Sequence, residues 1–200
     1  ETAIKAARKW GYQVKGVAAD KAEILVFTGN FHGRTTTIVG FSEDEQYKEG
    51  FGPFTPGFTL LPYGDLEAAR KAMNPNVVGI LIEPIQGESG IIIPPAGYLK
   101  GLSELCREHG ALLIADEITT GFGHTGQWFG CEHDRVITDI LTVGKGMAGG
   151  YTVSGRITRP GHPHARGARQ DAHVAPDPRT RWPPAPGAGA CCRGRARPAL

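Results

Sequence analysis

Short apolar runs alternate with amphipathic stretches along the first three quarters of the chain. Four segments have the length and the β-branched or aromatic content of strands: Glu23–Thr28, Val77–Ile82, Ala111–Ala115 and Asp139–Val143. Three segments have the spacing of apolar positions that is typical of amphipathic helices: Glu1–Trp10, Leu66–Met73 and Tyr98–His109. Strands that alternate with helices in this way predict an α/β fold with a mostly parallel sheet.

Capping residues and glycines predict where these helices begin and end. Asp65 is a favourable N-cap for the second helix, and Gly110 is a favourable C-terminal stop for the third. Gly11 is expected to end the first helix in the same way. The segment Glu43–Pro62, which is rich in Gly, Pro and Phe, is predicted to be irregular.

A carboxylate and an amine follow two of the predicted strands. Asp116 and Glu117 come directly after one apolar run, and Gly144 and Lys145 come directly after the next. Since reactive groups collect at the carboxyl ends of strands in an open parallel sheet, we expect Asp116 and Lys145 to share one crevice. Taken singly, such an Asp is more often a helix cap and such a Lys is more often solvated. As a pair they suit pyridoxal phosphate (PLP), whose aldehyde bonds to a Lys amine and whose ring nitrogen pairs with an acid.

Further polar and aromatic residues follow the other strands. Phe31, His32 and Arg34 lie after one strand, and Glu83 and Glu88 lie after another. A planar guanidinium suits a carboxylate substrate, and a phenyl ring can stack on a pyridine face. The alternatives are a core position for Phe31, a surface ion pair for Arg34 and solvated loop carboxylates for the two glutamates.

Composition limits the function classes. No apolar run reaches the length of a transmembrane helix, and the N-terminus lacks the apolar core of a secretory signal. The four cysteines fit neither a zinc spacing nor a disulfide framework, which favours a reducing, cytoplasmic location. Neither a P-loop nor a G-x-G-x-x-G motif is present, so no nucleotide-phosphate site is predicted. We expect neither a membrane nor a nucleic acid as partner.

The last quarter of the chain differs in composition from the rest. Residues 1–150 carry 13 Lys and Arg and 18 Asp and Glu, whereas residues 151–200 carry nine Arg, no Lys and two Asp. Eight of the 15 prolines lie beyond Gly150, with few large apolar residues, so this tail is predicted to be disordered. Its composition favours a frameshifted reading of a GC-rich gene over a natural basic tail that binds acidic partners. Tyr151–Pro160 is left open as a continuation of the preceding domain.

Four sequence strings make residues 1–150 resemble one enzyme family. FHGRT, EPIQGE, LLIADEI and VGKGMAGG occur in the order and spacing of the class III (ornithine and acetylornithine type) aminotransferases, and Phe51–Asp65 is most similar to the ornithine aminotransferases. The resemblance implies the large domain of a fold-type I PLP-dependent transferase, incomplete at both ends. It also implies a homodimer, and a reaction that moves the terminal amine of ornithine to 2-oxoglutarate. The alternatives are acetylornithine or another ω-amino acid as donor, a different PLP chemistry, and a non-catalytic fragment.

The resemblance also implies roles for individual residues. Lys145 would bond to the cofactor and shuttle a proton, and Asp116 would pair with the ring nitrogen. Phe31 would stack on the ring with His32 nearby. The substrate-binding residues would be Arg34, Glu83 and Glu88, with Glu88 as a gating carboxylate.

Two residues depart from the family's pattern. Thr119 stands where the family usually has a Gln that hydrogen-bonds the phenolic oxygen of PLP, and His124 stands where it tends to have Arg. We still expect Thr119 to contact the cofactor, with a shorter reach.

The resemblance predicts that some of the family's parts lie outside this sequence. The loop that holds the cofactor's phosphate would precede Glu1, and the Thr that reaches the partner subunit's phosphate would follow Gly150. Residues 1–200 alone are therefore expected to bind PLP weakly and to lack useful activity. We also expect the sheet edge beyond Val143 to be uncovered.

Overall fold

The computed structural model describes residues 1–158. The strands are β1 (Glu23–Phe27), β2 (Phe58–Leu61), β3 (Val77–Ile82), β4 (Leu112–Asp116), β5 (Ile140–Val143) and β6 (Gly155–Thr158). The α-helices are α1 (Thr2–Trp10), α2 (Thr36–Val39), α3 (Leu66–Ala72) and α4 (Tyr98–Glu108). Shorter helical turns lie at Gly11–Lys15, Glu45–Tyr47, Gly130–Asp134 and Lys145–Ala148.

The six strands form one mixed sheet in the order β2-β1-β3-β4-β5-β6. Strands β1 to β5 are parallel to their neighbours, and β6 alone pairs antiparallel, with β5. The predicted mostly parallel α/β sheet is therefore confirmed. Because the five parallel strands run in the same direction, their carboxyl ends meet at one edge of the sheet.

Helices cover both faces of the sheet and bury two apolar clusters. On one face, α3 and α4 pack through residues such as Leu102 and Leu105 against Leu25, Ile80 and Leu113. On the other face, α1 packs against a second set of strand residues, which comprises Ile24, Val78, Ile114 and Ile140. All six residues of β3 are buried, which explains its continuous apolar run.

The predicted helix boundaries at α3 and α4 agree with the structure. The Asp65 carboxylate accepts a hydrogen bond from the backbone N–H of Ala68 at 2.9 Å, which caps the start of α3. Gly110 has a φ of +56°, in the left-handed region where glycine ends helices readily. Within residues 1–158, no helix is long and apolar enough to cross a membrane.

The prediction that Gly11 ends the first helix is confirmed for α1, which ends at Trp10 with Gly11 as its C-cap, although the chain continues in a second helical turn. Gly11 has right-handed helical φ and ψ, and the helical path continues to Lys15 and ends at Gly16, whose φ is +81°. The role of Gly11 is packing: a Cβ atom added there would lie 2.2 Å from Cγ1 of the buried Val78 on β3. The glycine allows the helical backbone to approach the sheet closely.

Two expectations about the strands are corrected. Phe58–Leu61, inside the segment predicted to be irregular, forms the edge strand β2 and pairs with β1 from Ile24–Phe58 to Phe27–Leu61. Its residues are only partly buried or exposed, so it lacks the apolar signature of an inner strand. The edge of β5 is covered by β6, which lies within the stretch Tyr151–Pro160 that was left open. The remaining tail, residues 159–200, lies outside the described part of the chain.

We predict that Gly11→Ala destabilises the protein by about 1–3 kcal/mol, the range typical of overpacked cores. Alanine favours helices by about 1 kcal/mol over glycine, but the added Cβ would clash with Val78, which is fully buried. Urea unfolding of Gly11→Ala would measure the effect. The matched control is Gly155→Ala, where the added Cβ would meet its nearest atom at an ordinary 3.6 Å. Equal or greater stability of Gly11→Ala would show that helix propensity dominates at this position.

Candidate functional site

The carboxyl edge of the parallel strands brings the candidate residues together. The loop after β1 carries Phe31, His32 and Arg34, and the loop after β3 begins at Glu83. Asp116 is the last residue of β4, and Lys145 lies two residues beyond β5. Side-chain hydrogen bonds made by Asp116, Glu83 and Lys145 link these four loops.

Asp116 is a buried carboxylate with three hydrogen-bond donors. Its Oδ2 accepts from His32 Nδ1 at 2.7 Å, and its Oδ1 accepts from Thr142 Oγ1 at 3.0 Å and from Ile118 N at 3.2 Å. Burial by itself would raise the Asp116 pKa, but the hydrogen bond and positive charge of His32, with the two other donors, lower the pKa below its ordinary value. The site therefore keeps an ionised carboxylate in a desolvated position.

The Lys145 amine lies beside the loop that follows Asp116. Lys145 Nζ donates to Thr119 Oγ1 at 2.8 Å and lies 3.8 Å from Glu88 Oε1. Its backbone φ is +40°, a left-handed conformation that costs a non-glycine residue of order 1–3 kcal/mol and is found most often at functional sites. The strained turn directs the amine toward the loops after β3 and β4.

Thr119 is held in place by the loop after β3. A Cβ atom added to Gly87 would lie 2.9 Å from Thr119 Cγ2, so the threonine methyl group packs directly on the Gly87 backbone. This contact leaves the hydroxyl group toward Lys145. The two departures from the family's pattern thus both lie near this lysine, because a Cβ at Gly146 would lie 3.0 Å from His124 Cε1.

Glu83 lies under the site rather than at its surface. Only 6% of the residue is exposed, and its Oε2 accepts a hydrogen bond from the backbone N–H of Phe31 at 3.0 Å. Burial raises the Glu83 pKa, and the nearby Asp116 charge raises it further, against opposing contributions from His32 and from backbone N–H groups. This hydrogen bond positions the Phe31 loop, and the expected contact of Glu83 with substrate stays a prediction.

Phe31 lines an open cavity, and Arg34 packs against two of its aromatic rings. The Arg34 guanidinium lies 5.1 Å from the centre of the Tyr47 ring and 5.7 Å from that of Phe31. Phe31, Tyr47 and Glu88 line the cavity, whose volume is about 260 Å³. Arg34 is exposed and stacks on these rings, and no ion pair between it and a carboxylate is found within residues 1–158.

Two buried polar residues contribute to the site without having been predicted from the sequence. Glu117 is fully buried and accepts hydrogen bonds from Gly130 N and Cys131 N, each at 2.8 Å, and from the Thr120 hydroxyl. It thereby closes the loop that carries Thr119. Gln86 donates to the carbonyl of Thr28 at 2.7 Å and ties the loop after β3 to the end of β1. In the sequence, Gln86 was indicated only by its position inside the EPIQGE string. Glu117 was indicated only by its position directly after a predicted strand.

Comparison with known proteins places this geometry in a family. The sequence profile described as "Aminotransferase class-III" matches residues 1–163. The ornithine aminotransferases of Brevibacillus brevis and Bacillus subtilis are each 53% identical over 150 residues, which cover 75% of this chain and 38% and 37% of those proteins. The chain thus spans less than two fifths of the length of these relatives.

Solved structures agree with this assignment. The ornithine aminotransferase of Toxoplasma gondii, whose structure has partial occupancy of PLP at its active site, superposes with a TM-score of 0.77 at 41% identity. The match covers 80% of this chain and 40% of that one. An acetylornithine aminotransferase from Elizabethkingia anophelis superposes with a TM-score of 0.65 at 36% identity and covers 80% and 36% of the two chains.

The α/β sheet with a carboxylate and an amine at neighbouring strand ends defines a PLP-type transferase fold. This chain belongs to the class III aminotransferases, as the sequence strings predicted.

We predict that Glu83→Gln stabilises the protein at neutral pH and has less effect near pH 4. Because the folded-state pKa of Glu83 is raised, the folded state retains this proton more strongly, and stability is lost as pH rises through the raised pKa. Glutamine keeps an oxygen for the Phe31 N–H and never ionises. The measurement is the free energy of unfolding against pH for both proteins, with the exposed Glu104→Gln on α4 as the control. A difference between wild type and Glu83→Gln that does not grow with pH would contradict the prediction.

Proposed function

We propose that the protein is an ornithine aminotransferase: with PLP as cofactor, it transfers the terminal amine of ornithine to 2-oxoglutarate, giving glutamate semialdehyde and glutamate. The observation that carries this proposal is the placement of the buried Asp116 carboxylate and the Lys145 amine at the carboxyl ends of the adjacent parallel strands β4 and β5. The ornithine aminotransferases that are 53% identical to it support the choice of donor.

The residues at the strand ends fit PLP. A carboxylate has about four positions at which it can accept a hydrogen bond. Three donors occupy three of these positions on Asp116, so one position remains for the N–H of a ring nitrogen. The lowered pKa of Asp116 keeps the carboxylate charged, which is the state that holds such a nitrogen protonated. Lys145 would hold the cofactor's aldehyde carbon covalently. When bound, the cofactor supplies a protonated pyridine ring that stabilises negative charge at the substrate carbon.

Other residues of the chain prepare this position. His32 orients Asp116 through the 2.7 Å hydrogen bond. Glu83 fixes the backbone of Phe31, whose ring would lie against the cofactor ring. Lys145 would also move the proton between the substrate carbon and the cofactor carbon, because a lysine amine positioned beside them can act as a general base.

Substrate recognition falls to charged residues at the rim of the site. Arg34 would hold a carboxylate of glutamate or 2-oxoglutarate, because its guanidinium fork is exposed and supported by two rings. Glu88 would act as the gating carboxylate, and its half-exposed position near the Lys145 amine supports that role. For Glu83 we propose positioning of Phe31 in place of direct substrate binding.

The assembly and location of the protein belong to the same proposal. We propose a homodimer in the cytoplasm, on the basis of the family and the cysteine usage. A second candidate donor is N-acetylornithine, which is favoured by the structural similarity to acetylornithine aminotransferases.

We predict that Lys145→Ala lowers transamination by roughly 10³-fold or more, the order seen when a covalent catalytic residue is removed. The assay follows glutamate formation from 2-oxoglutarate with ornithine, N-acetylornithine or 4-aminobutyrate as donor in the full-length protein. A second readout is the mass of the peptide that contains Lys145 after treatment with PLP and borohydride. The exposed Lys100→Ala on α4 is the control. Full turnover by Lys145→Ala would remove that residue from its role, and a preference for N-acetylornithine would change the assigned donor.

We predict that Thr119→Gln tightens PLP binding or shifts the pH midpoint of the bound cofactor's visible absorbance. A glutamine amide can donate directly to the phenolic oxygen. The shorter Thr119 side chain instead accepts a hydrogen bond from the Lys145 amine at 2.8 Å. Thr119→Val, which removes the hydroxyl at nearly constant size, separates loss of that contact from gain of the amide. An unchanged absorbance titration and an unchanged PLP affinity in Thr119→Gln would contradict the prediction.

A further inference from the structure

A second cavity lies at the opposite edge of the sheet, where the parallel strands begin. Its volume is about 630 Å³, and the turn after α1, the segment before β3 and the end of α4 enclose it. The apolar side chains of Val17, Ala18 and Met73 form part of its wall, and Lys15 is the lysine that lines it. No residue of the proposed active site takes part.

The Lys15 amine is held by two backbone carbonyl groups at this wall. Nζ donates to the Val77 carbonyl at 2.6 Å and to the His109 carbonyl at 3.1 Å. These contacts join the start of β3 to the end of α4. A neutral amine has two N–H groups, and the two carbonyls use both of them, so the nitrogen lone pair is left free.

Burial makes the neutral form of Lys15 more accessible than that of an exposed lysine. Among residues 1–158, no carboxylate forms an ion pair with Lys15. Burial lowers the Lys15 pKa, while the Cys106 thiol of α4 opposes this shift. The His109 side chain also lines the cavity, so the titratable groups around the amine are an imidazole and a buried thiol.

We propose that Lys15 is a modification site, a nucleophilic amine that accepts an acyl group from a thioester entering this cavity. The nitrogen lone pair attacks the thioester carbonyl carbon, a C–N bond forms, and the C–S bond breaks. The thiolate leaves with its electron pair, and the amine releases one proton to solvent. The apolar wall accommodates the acyl chain next to the nitrogen.

Acylation has a structural consequence at the same place. The amide product keeps a single N–H, so it can serve only one of the two carbonyls of Val77 and His109. The contact between the start of β3 and the end of α4 is therefore weakened. Modified protein is expected to have a lower melting temperature than unmodified protein.

The test is acylation of the full-length protein by acetyl coenzyme A, followed by peptide mass spectrometry over time. Lys15 is expected to react faster than the exposed Lys21 and Lys71, since each unit by which a pKa falls increases the neutral amine roughly tenfold near neutral pH. The rate against pH should have its midpoint below the ordinary lysine value of about 10.4. In denaturant the advantage of Lys15 should disappear.

A cavity-narrowing variant keeps the test independent of folding defects. Ala18 is exposed and lines the cavity, so Ala18→Leu should slow acylation of Lys15 while leaving Lys21 and Lys71 unchanged. A lysine that only caps the end of α4 would react more slowly than the exposed lysines and would not respond to Ala18→Leu. Either result in the folded protein would overturn the proposal.

Discussion

The removal of the Asp116 carboxylate from water is the constraint on which the rest of this site depends. A buried charge is costly unless donors replace its hydration, and here three segments of the chain provide them. The loop after β1 provides His32, the backbone after β4 provides Ile118 N–H, and β5 provides Thr142. In the buried position, the ionised carboxylate is therefore stabilised by donors that β1, β4 and β5 bring together, which couples the electrostatics of the site to the folding of the sheet.

Buried polar side chains extend this coupling to the loops that carry the other functional groups. Glu83 joins the end of β3 to Phe31, Gln86 joins the same loop to the end of β1, and Glu117 closes the loop after β4 on Gly130 and Cys131. Each hydrogen bond satisfies a backbone group that would otherwise lie unpaired at the top of the sheet. These hydrogen bonds fix the positions of the loops relative to one another, and Lys145 contacts Thr119 at the same edge.

The two edges of the sheet place their lysines in different environments. Lys145, at the carboxyl edge, is half exposed and contacts a hydroxyl group and a carboxylate. Lys15, at the amino edge, contacts two carbonyl groups and has no carboxylate partner within the described residues. Burial without a carboxylate partner among residues 1–158 lowers the Lys15 pKa, so the proposed acylation site lies at the opposite end of the strands from Lys145.

The sequence by itself determined the inner strands, the caps at Asp65 and Gly110, and the placement of Asp116 and Lys145 after strands, because burial on both faces and local capping leave signals within a few residues. The tertiary structure alone decided what depends on distant partners. Strand β2 forms because β1 pairs with it, although its own residues are barely buried. Gly11 lacks a side chain because Val78 on β3 leaves no room for one, and Glu83 is buried where it accepts a hydrogen bond from the Phe31 N–H. The two residues or strands of each contact are far apart in sequence, so no local pattern could have indicated these contacts.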